Sequence, residues 1–237
     1  MDTQAQPSAT PTRPFLFVSH AKAGSTWIDR LLRTLFGKKN VVRGFELQNF
    51  QLDEHKVYSA AFVTREEVLA HSVLSTLPRF IVLRDLRDTL VSHYFSTRDT
   101  HPLDAKGKIA AQREKLLSSS KEEGLSFMID AVLARAAEIQ RSWVGKGENL
   151  FWYEDLLKND LALLSKLFLE DLRLPLDRAQ VEAAIVANRF ENVYKRKLGE
   201  KDEASHGRQG LPGDWKNHLT ENHVREIETR FGDLLRS

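Results

Sequence analysis

Cysteine is absent from the 237 residues, which excludes disulfides and thiol chemistry and fits a reducing compartment. Long apolar runs are missing too, so no stretch is long enough to span a bilayer. No apolar segment follows a charged start either. Met1 to Thr12 is polar and contains proline, which reads as a disordered tail over residues 1–13 and not as a signal peptide. A cytoplasmic location follows as the expectation. An excess of one charge sign is also lacking: the net charge of +2 calls for neither nucleic acid nor an acidic membrane as partner. The isoelectric point near 8.8 still leaves room for local sites that take small anions. What is present is ordinary for a soluble globular protein, with 41% hydrophobic and 29% charged residues. The length suits one domain, residues 14–237, with a sizeable core and no internal repeat.

The chain is organised around Phe15-Leu-Phe-Val-Ser-His-Ala-Lys-Ala-Gly-Ser-Thr-Trp27. Phe15 to Val18 reads as a buried strand, Ser19 to Gly24 as a tight loop, and the rest as a helix start. Ile28, Leu31, Leu32, Leu35 and Phe36 continue that helix at 3.6-residue spacing. A strand feeding a glycine-containing loop that opens a helix is a cradle for an anion. The first helical N–H groups have no internal partner, and the helix dipole adds positive potential. Gly24 lets the backbone come close, Ser25 and Thr26 add hydroxyl donors, and Lys22 adds a full positive charge.

Further along, Val41 to Lys56 reads as loop with short pieces of structure, and Val57 to Val63 as a strand. Thr64-Arg-Glu-Glu67 has the spacing of a capping box and predicts a helix from Arg65 to Leu77. Phe80 to Leu83 is a short continuous apolar run, the mark of a strand buried on both faces. The helix after it should bury Leu90, Val91, Tyr94 and Phe95. Asp99 to Gly124, rich in both charges, reads as a solvated connection, or as a lid over a substrate. A long helix is expected over Leu125 to Val144, a strand over Leu150 to Tyr153, helices to Leu172, and an Asp177-capped helix to Asn188. Gly199 to Gly213 is loop. Thr220 caps a terminal helix with Val224, Ile227, Phe231 and Leu234 on its apolar face. Buried strands alternating with helices give an α/β fold: a central parallel sheet flanked by helices.

Ligands bind at the carboxyl ends of strands in such sheets. Three strand ends carry distinctive polar residues: the loop with Lys22; Arg84, with Ser92 eight residues on; and Tyr153 with Glu154 and Asp155. Taken singly, Arg84 suits a surface ion pair with Asp85 or Asp88. Beside an anion loop, its fork becomes a second contact for phosphate oxygens. A nucleoside-triphosphatase loop needs Gly, four residues, then Gly-Lys-Ser/Thr. Here the lysine precedes Gly24 and there is no earlier glycine, which counts against that rival.

Four motifs in order resemble those of the sulfotransferases that use 3′-phosphoadenosine 5′-phosphosulfate (PAPS). Ala21-Lys-Ala-Gly-Ser-Thr-Trp27 resembles their Pro-Lys-Ser-Gly-Thr-Thr-Trp signature. Arg84-Asp-Leu-Arg-Asp-Thr-Leu-Val-Ser92 is similar to Arg-Asn-Pro-Lys-Asp followed by Val-Ser at the same offset. Tyr153-Glu-Asp-Leu156 matches a Tyr-Glu-Asp-Leu element. Arg208-Gln-Gly-Leu-Pro-Gly-Asp-Trp-Lys-Asn217 matches Arg-Lys-Gly-x-x-Gly-Asp-Trp-Lys-Asn with one change, at Gln209.

The resemblance implies a P-loop-kinase-like fold, PAPS as co-substrate and no metal. It also implies transfer of a sulfuryl group to a hydroxyl or amine of a small-molecule or glycan acceptor. By position, Lys22, Gly24, Ser25, Thr26 and Trp27 would hold the 5′-phosphosulfate. Arg84, Ser92, Arg208 and Gly210 would hold the 3′-phosphate, with Gln209 removing one positive charge there. Tyr153 and Phe190 would line the adenine pocket. Lys22 would neutralise charge on the departing oxygen. Many members place a basic histidine where Ala60 and Ala61 stand. Members acting on polysaccharides use a glutamate after the first loop, a place Glu46 could fill; His20 and His55 are lesser candidates for the base. A dimerisation segment of the family is matched at Lys216 and Thr220 but not at Glu221 and Arg225, which leaves the oligomeric state open. Two other readings stand: a nucleotide-dependent kinase-like transferase, and a non-catalytic protein that binds PAPS or phosphate without its base.

Overall fold

The computed structural model describes residues 13–105, 107–202, 205 and 207–236. The tail expected over residues 1–13 lies outside the described residues but for Arg13. In chain order the elements are β1 (Leu16–Ser19), α1 (Ser25–Phe36), β2 (Val41–Arg43), β3 (Val57–Ala61), α2 (Arg65–Ala70), β4 (Arg79–Leu83) and α3 (Leu86–Phe95). Then come α4 (Lys108–Leu117), α5 (Lys121–Met128), α6 (Ala134–Trp143), β5 (Asn149–Trp152), α7 (Tyr153–Lys166), α8 (Arg178–Ala187), α9 (Phe190–Tyr194) and α10 (Glu221–Phe231). Two compact units, interleaved in sequence, make up the chain. The first holds the chain up to His20, Gly24–Leu83 and Ser142–Arg189; the second holds Ala21–Ala23, Arg84–Arg141 and the chain from Phe190 on.

The first unit is built on a five-stranded sheet in the order β2-β3-β1-β4-β5, every pairing parallel. This is the expected α/β architecture, with β2 added as an edge strand of three residues. Along β1 and β4 alternate residues face opposite ways, and both sets are buried. Phe17, Phe80 and Val82 join one cluster with Ile28, Leu31, Leu32 and Leu35 of α1, Leu156 and Leu164 of α7, and Val181 and Ile185 of α8. Leu16, Val18, Ile81 and Leu83, of the opposite parity, are buried as well. Each such side chain contributes about 1.5–3 kcal/mol of burial, which explains why these strands read as unbroken apolar runs. The rings of Phe17 and Phe80 stack at 4.8 Å across β1 and β4.

The capping box forms as the spacing predicts. Thr64 Oγ1 accepts from the Glu67 N–H at 3.2 Å, and a Glu67 carboxylate oxygen accepts from the Thr64 N–H at 2.6 Å. The helix nevertheless ends at Ala70, not Leu77. His71 Nδ1 accepts from the N–H groups of both Val73 and Leu74, each at 3.3 Å, and so turns the chain away from the helix.

The second unit packs α3, α4, α5, most of α6, and α10 around Leu90, Tyr94, Leu116, Leu125, Met128, Leu133, Ile227 and Phe231. The 99–124 segment, read as a solvated connection, is largely ordered instead: it holds α4 and the first turn of α5. Buried Gln112 and Leu116, four residues apart, seat α4. Arg113 donates to the Thr97 carbonyl at 2.9 Å and to that of His101. Glycine at position 124 is a packing requirement, since a Cβ there would lie 2.8 Å from the Tyr94 ring. The helix expected from Leu125 starts earlier, at Lys121, capped by Ser120, and passes through a π-helical stretch (Ile129–Leu133) into α6. On α10 the buried positions are His223, Ile227 and Phe231, with Val224 only partly covered. His223 satisfies both ring nitrogens, Nδ1 with the Thr220 N–H at 3.2 Å and Nε2 with the Glu122 carbonyl at 3.0 Å. No helix among the described residues is long and apolar enough to cross a membrane.

Candidate active site

In the first unit, the loop read as an anion cradle leads into α1. Gly24 is its N-cap, in the left-handed conformation with φ +83°, and no side chain caps the helix. There is no acidic residue in the first turn, so the N–H groups over Ser25, Thr26 and Trp27 and the positive end of the dipole are unopposed. Two independent constraints make position 24 a glycine. A side chain is strained at that φ, and a Cβ would lie 2.8 Å from Cδ2 of Tyr153. Tyr153, the first residue of α7, is itself buried and meets Trp27 edge-on at 6.0 Å. Trp27 Nε1 is buried with no hydrogen-bond partner among the described residues. Gly24, Trp27 and Tyr153 are thus brought together.

At the end of β3 the backbone breaks register with β1, between the pairs Leu16↔Tyr58 and Val18↔Ala61. Ala60 takes φ +57°, an unusual conformation for a residue with a side chain. Ala60 and Ala61, where the sequence resemblance expects a basic histidine, stand at this irregularity and carry no titratable group. Glu46 stands exposed just before a single 3₁₀ turn, Leu47–Asn49. His20 is fully buried at the end of β1, and His55 is exposed on a loop.

In the second unit, Lys22 is also left-handed, at φ +69°, a conformation that costs on the order of 1–3 kcal/mol for a non-glycine residue. Arg84, which follows β4 directly, donates from Nη1 to the Lys22 carbonyl at 3.2 Å and fixes that turn. Gln140 of α6 in turn donates to the Arg84 carbonyl at 2.6 Å. Part of Lys22 reaches the surface, but its ammonium lies deep. Burial and then the Arg84 guanidinium lower its pKa from 10.5 to about 8. No carboxylate among the described residues forms an ion pair with Lys22.

The two acids read as ion-pair partners for Arg84 also bind elsewhere. Asp85 caps α3 and takes the Arg87 guanidinium at 2.6 and 3.0 Å. Asp88 is buried and accepts from the N–H groups of Gly213 at 2.6 Å and Trp215 at 3.2 Å. Desolvation pushes its pKa up, against the pull of Arg84 and those two amides. Asp88 therefore ties the late glycine-containing segment to α3, on which Ser92 stands partly exposed. Motif spacing gave no sign of that bond, because its two ends lie more than a hundred residues apart.

Within the late segment, Arg208 pairs with buried Asp214 and lies 4.4 Å over the Phe95 ring. Asp214 also accepts from Asn217 at 3.0 Å, and Lys201 Nζ and His218 Nε2 lie 3.5 and 3.2 Å from its carboxylate. With its amide turned so that the nitrogen rather than the oxygen meets the carboxylate, Gln209 donates to the same group at 3.0 and 3.1 Å. Burial alone would raise the Asp214 pKa; Asn217, Arg208 and His218 outweigh it and hold the group down to about 2. Gly210, with φ +76°, is packed against Phe190, whose Cδ2 would lie 2.7 Å from a Cβ. Arg208, Gln209, Gly210 and Phe190 thus form one neighbourhood. The sequence reading missed its anchors, Asp88, Phe95 and Asp214, although Asp88 and Asp214 sit inside the motifs.

The family model for the sulfotransferase domain matches residues 12–237. No curated protein matches the chain. Among solved structures, mouse sulfotransferase SULT7A1 complexed with PAP is similar at 14% identity and TM-score 0.65, covering 97% of this chain and 87% of that one. Retinol dehydratase with androsterone and inactive cofactor PAP is similar at 15% identity and TM-score 0.58, over 98% of this chain and 83% of that one. The same enzyme with retinol and PAP gives 15% and 0.58, over 98% and 84%. A parallel sheet whose central strand runs into an uncapped, acid-free helix, together with a family match over nearly the whole chain, leaves one assignment: the chain belongs to the sulfotransferase domain family.

Proposed function

We propose that the protein transfers a sulfuryl group from PAPS to a hydroxyl or amine of a small-molecule or glycan acceptor, in line, with release of adenosine 3′,5′-bisphosphate. The observation that carries this reading is Lys22: a deeply placed ammonium, beside a second cation, without a carboxylate to balance it. Such a charge is costly unless an anion completes it. The open N-terminus of α1 and the partnerless Trp27 Nε1 suit the same anionic, aromatic ligand. PAPS would supply a sulfuryl group on an anionic carrier, ready for transfer.

In this reading the backbone at Gly24, Ser25 and Thr26 and the Lys22 ammonium hold the phosphosulfate. Tyr153, Trp27 and Phe190 line the adenine. Arg84, Ser92, Arg208, Gln209 and Gly210 serve the 3′-phosphate. Lys22 neutralises the charge that grows on the carrier's phosphate oxygen as sulfate departs, a task for a preorganised cation in a desolvated place. Glu46 would meet an acceptor only from an exposed loop. The alanine pair at the end of β3 favours a second reading, a protein that binds the donor and does not turn it over.

Both readings require recognition of the 3′-phosphate. Charge-assisted bonds to a phosphate contribute about 1.5–3 kcal/mol each, so adenosine 3′,5′-bisphosphate should bind about 100-fold more tightly than adenosine 5′-monophosphate in a calorimetric titration. Equal affinities would remove the basis for PAPS as the donor.

A further inference from the structure

The proposed transfer needs a group to take the acceptor's proton, and the usual histidine is replaced by alanine. Among the described residues of the first unit, a carboxylate of α1 is buried with one oxygen lacking a hydrogen-bond partner. Asp29 of α1 is 6% exposed, in a stretch whose neighbours Ile28, Leu31 and Leu32 belong to the core. Arg33 Nε donates to its Oδ2 at 2.7 Å, and Arg43 Nη1 lies 3.9 Å from the same oxygen. Oδ1 is buried and has no hydrogen-bond partner among the described residues. A buried acceptor left unmade is expensive, and a buried ion pair is by itself a poor source of stability. The arrangement therefore makes better sense if Oδ1 meets a donor brought from outside.

Its position suits that. Asp29 is four residues after Ser25, so the two share a face of α1 about 5–6 Å apart. Helical side chains lean toward the N-terminus, the end at which the loop of Lys22 and Gly24 enters α1. Arg43, whose guanidinium reaches Asp29, is the last residue of β2 and pairs in register with Ser59. Ser59 is fully buried, its hydroxyl too lacks a partner among the described residues, and the Ala60 bulge follows it directly. Asp29, through Arg43 at the end of β2, and Ser59 on β3 thus put two unsatisfied polar side chains near the carboxyl ends of neighbouring strands, close to the strained Ala60.

We propose that Asp29 Oδ1 is the proton acceptor for the acceptor hydroxyl, an assignment that rests on the sulfotransferase reading above. As the acceptor oxygen bonds to sulfur, its proton moves to Oδ1. The bond from sulfur to the carrier's phosphate oxygen breaks, and its electron pair leaves with that oxygen. Arg33 holds Oδ2 and keeps Oδ1 aimed.

Two measurements on Asp29→Asn test this, with Glu54→Gln as an exposed control. The first is kcat against acceptor acidity across substituted phenols and alcohols. Asn is isosteric but takes no proton, so the expected loss is about 100-fold for weakly acidic alcohols and under tenfold for 4-nitrophenol. A merely structural role would lower all acceptors alike. The second needs no turnover: 4-nitrophenol titrated spectroscopically when bound to protein saturated with adenosine 3′,5′-bisphosphate. A carboxylate beside the phenol disfavours phenolate, so the apparent pKa of the bound phenol should fall by about one unit in Asp29→Asn. An unchanged pKa, no binding of the phenol, or a uniform loss of kcat would overturn the assignment. So would turnover of Asp29→Asn near wild type with a large loss in Glu46→Gln. Wild-type protein that binds the bisphosphate and shifts the phenol but transfers no sulfate would count against the donor reading and leave the Asp29 contact standing.

Discussion

Lys22→Met is expected to abolish sulfate transfer and to leave the protein at least as stable as the parent. The stability half follows from proton linkage. Lys22 has a folded pKa of about 8, below its unfolded value of 10.5, with burial the first cause and Arg84 the second. Between those values the unfolded chain binds more protons, so the group's contribution to stability rises with pH across that window. Below pH 8 the ammonium is charged in both states and its burial is a standing cost, with an upper bound on the order of 3 kcal/mol. Methionine matches the length without the charge, so at pH 7 the variant should melt at or above the wild-type temperature. Its advantage should shrink from pH 8 to pH 10.5. The activity half follows from the lost cation at the departing oxygen, where removal of one preorganised group costs about 10²–10³ in kcat. A stable variant with near-normal turnover would show that Lys22 is a strained loop residue and nothing more.

Gly24→Ala should damage both fold and donor binding. The left-handed φ of +83° costs alanine about 1 kcal/mol or more. The added Cβ also lies 2.8 Å from Tyr153, a buried ring that meets Trp27 edge-on. Together these should lower stability by about 2–3 kcal/mol and weaken binding of adenosine 3′,5′-bisphosphate at least tenfold. Gly44→Ala separates the two causes. Gly44 has φ +74° and nothing within 4 Å of a Cβ, so it should show the backbone cost alone and bind the bisphosphate normally. Equal losses at both positions would mean that the Tyr153 contact is soft.

Much of this could be read from the sequence, and what could not has identifiable causes. The apolar runs at Phe15, Val57 and Phe80 betray parallel strands because both faces of each are covered, while Leu150 belongs to a half-buried edge strand. The caps at Thr64, Asp177 and Thr220 are local chemistry and form where their spacing predicts. β2 is too short to carry a period. α4 was hidden because only Gln112 and Leu116 of its residues are buried, which leaves a charged stretch that resembles a connection. α2 stops early because His71 offers its ring to two amides, a choice that hydropathy does not encode. At the site, motif order located the cradle, Arg84 and the late segment. The carboxylates that support them were illegible for one reason: what each binds is set by the fold. Asp88 takes amides from Gly213 and Trp215, and Asp29 takes an arginine from β2.

The central claim is that Lys22, two residues before an open helix N-terminus and without a carboxylate partner among the described residues, serves to bind and discharge phosphosulfate. Its most direct measurement is transfer of labelled sulfate from PAPS to a mixture of phenol, sterol, sugar and peptide acceptors, with wild-type protein and Lys22→Met side by side. The account predicts labelled product from the wild type, with release of adenosine 3′,5′-bisphosphate in equal amount, and none above background from the variant. Product formed equally by both proteins, or by neither while the bisphosphate binds tightly to the wild type, would contradict it.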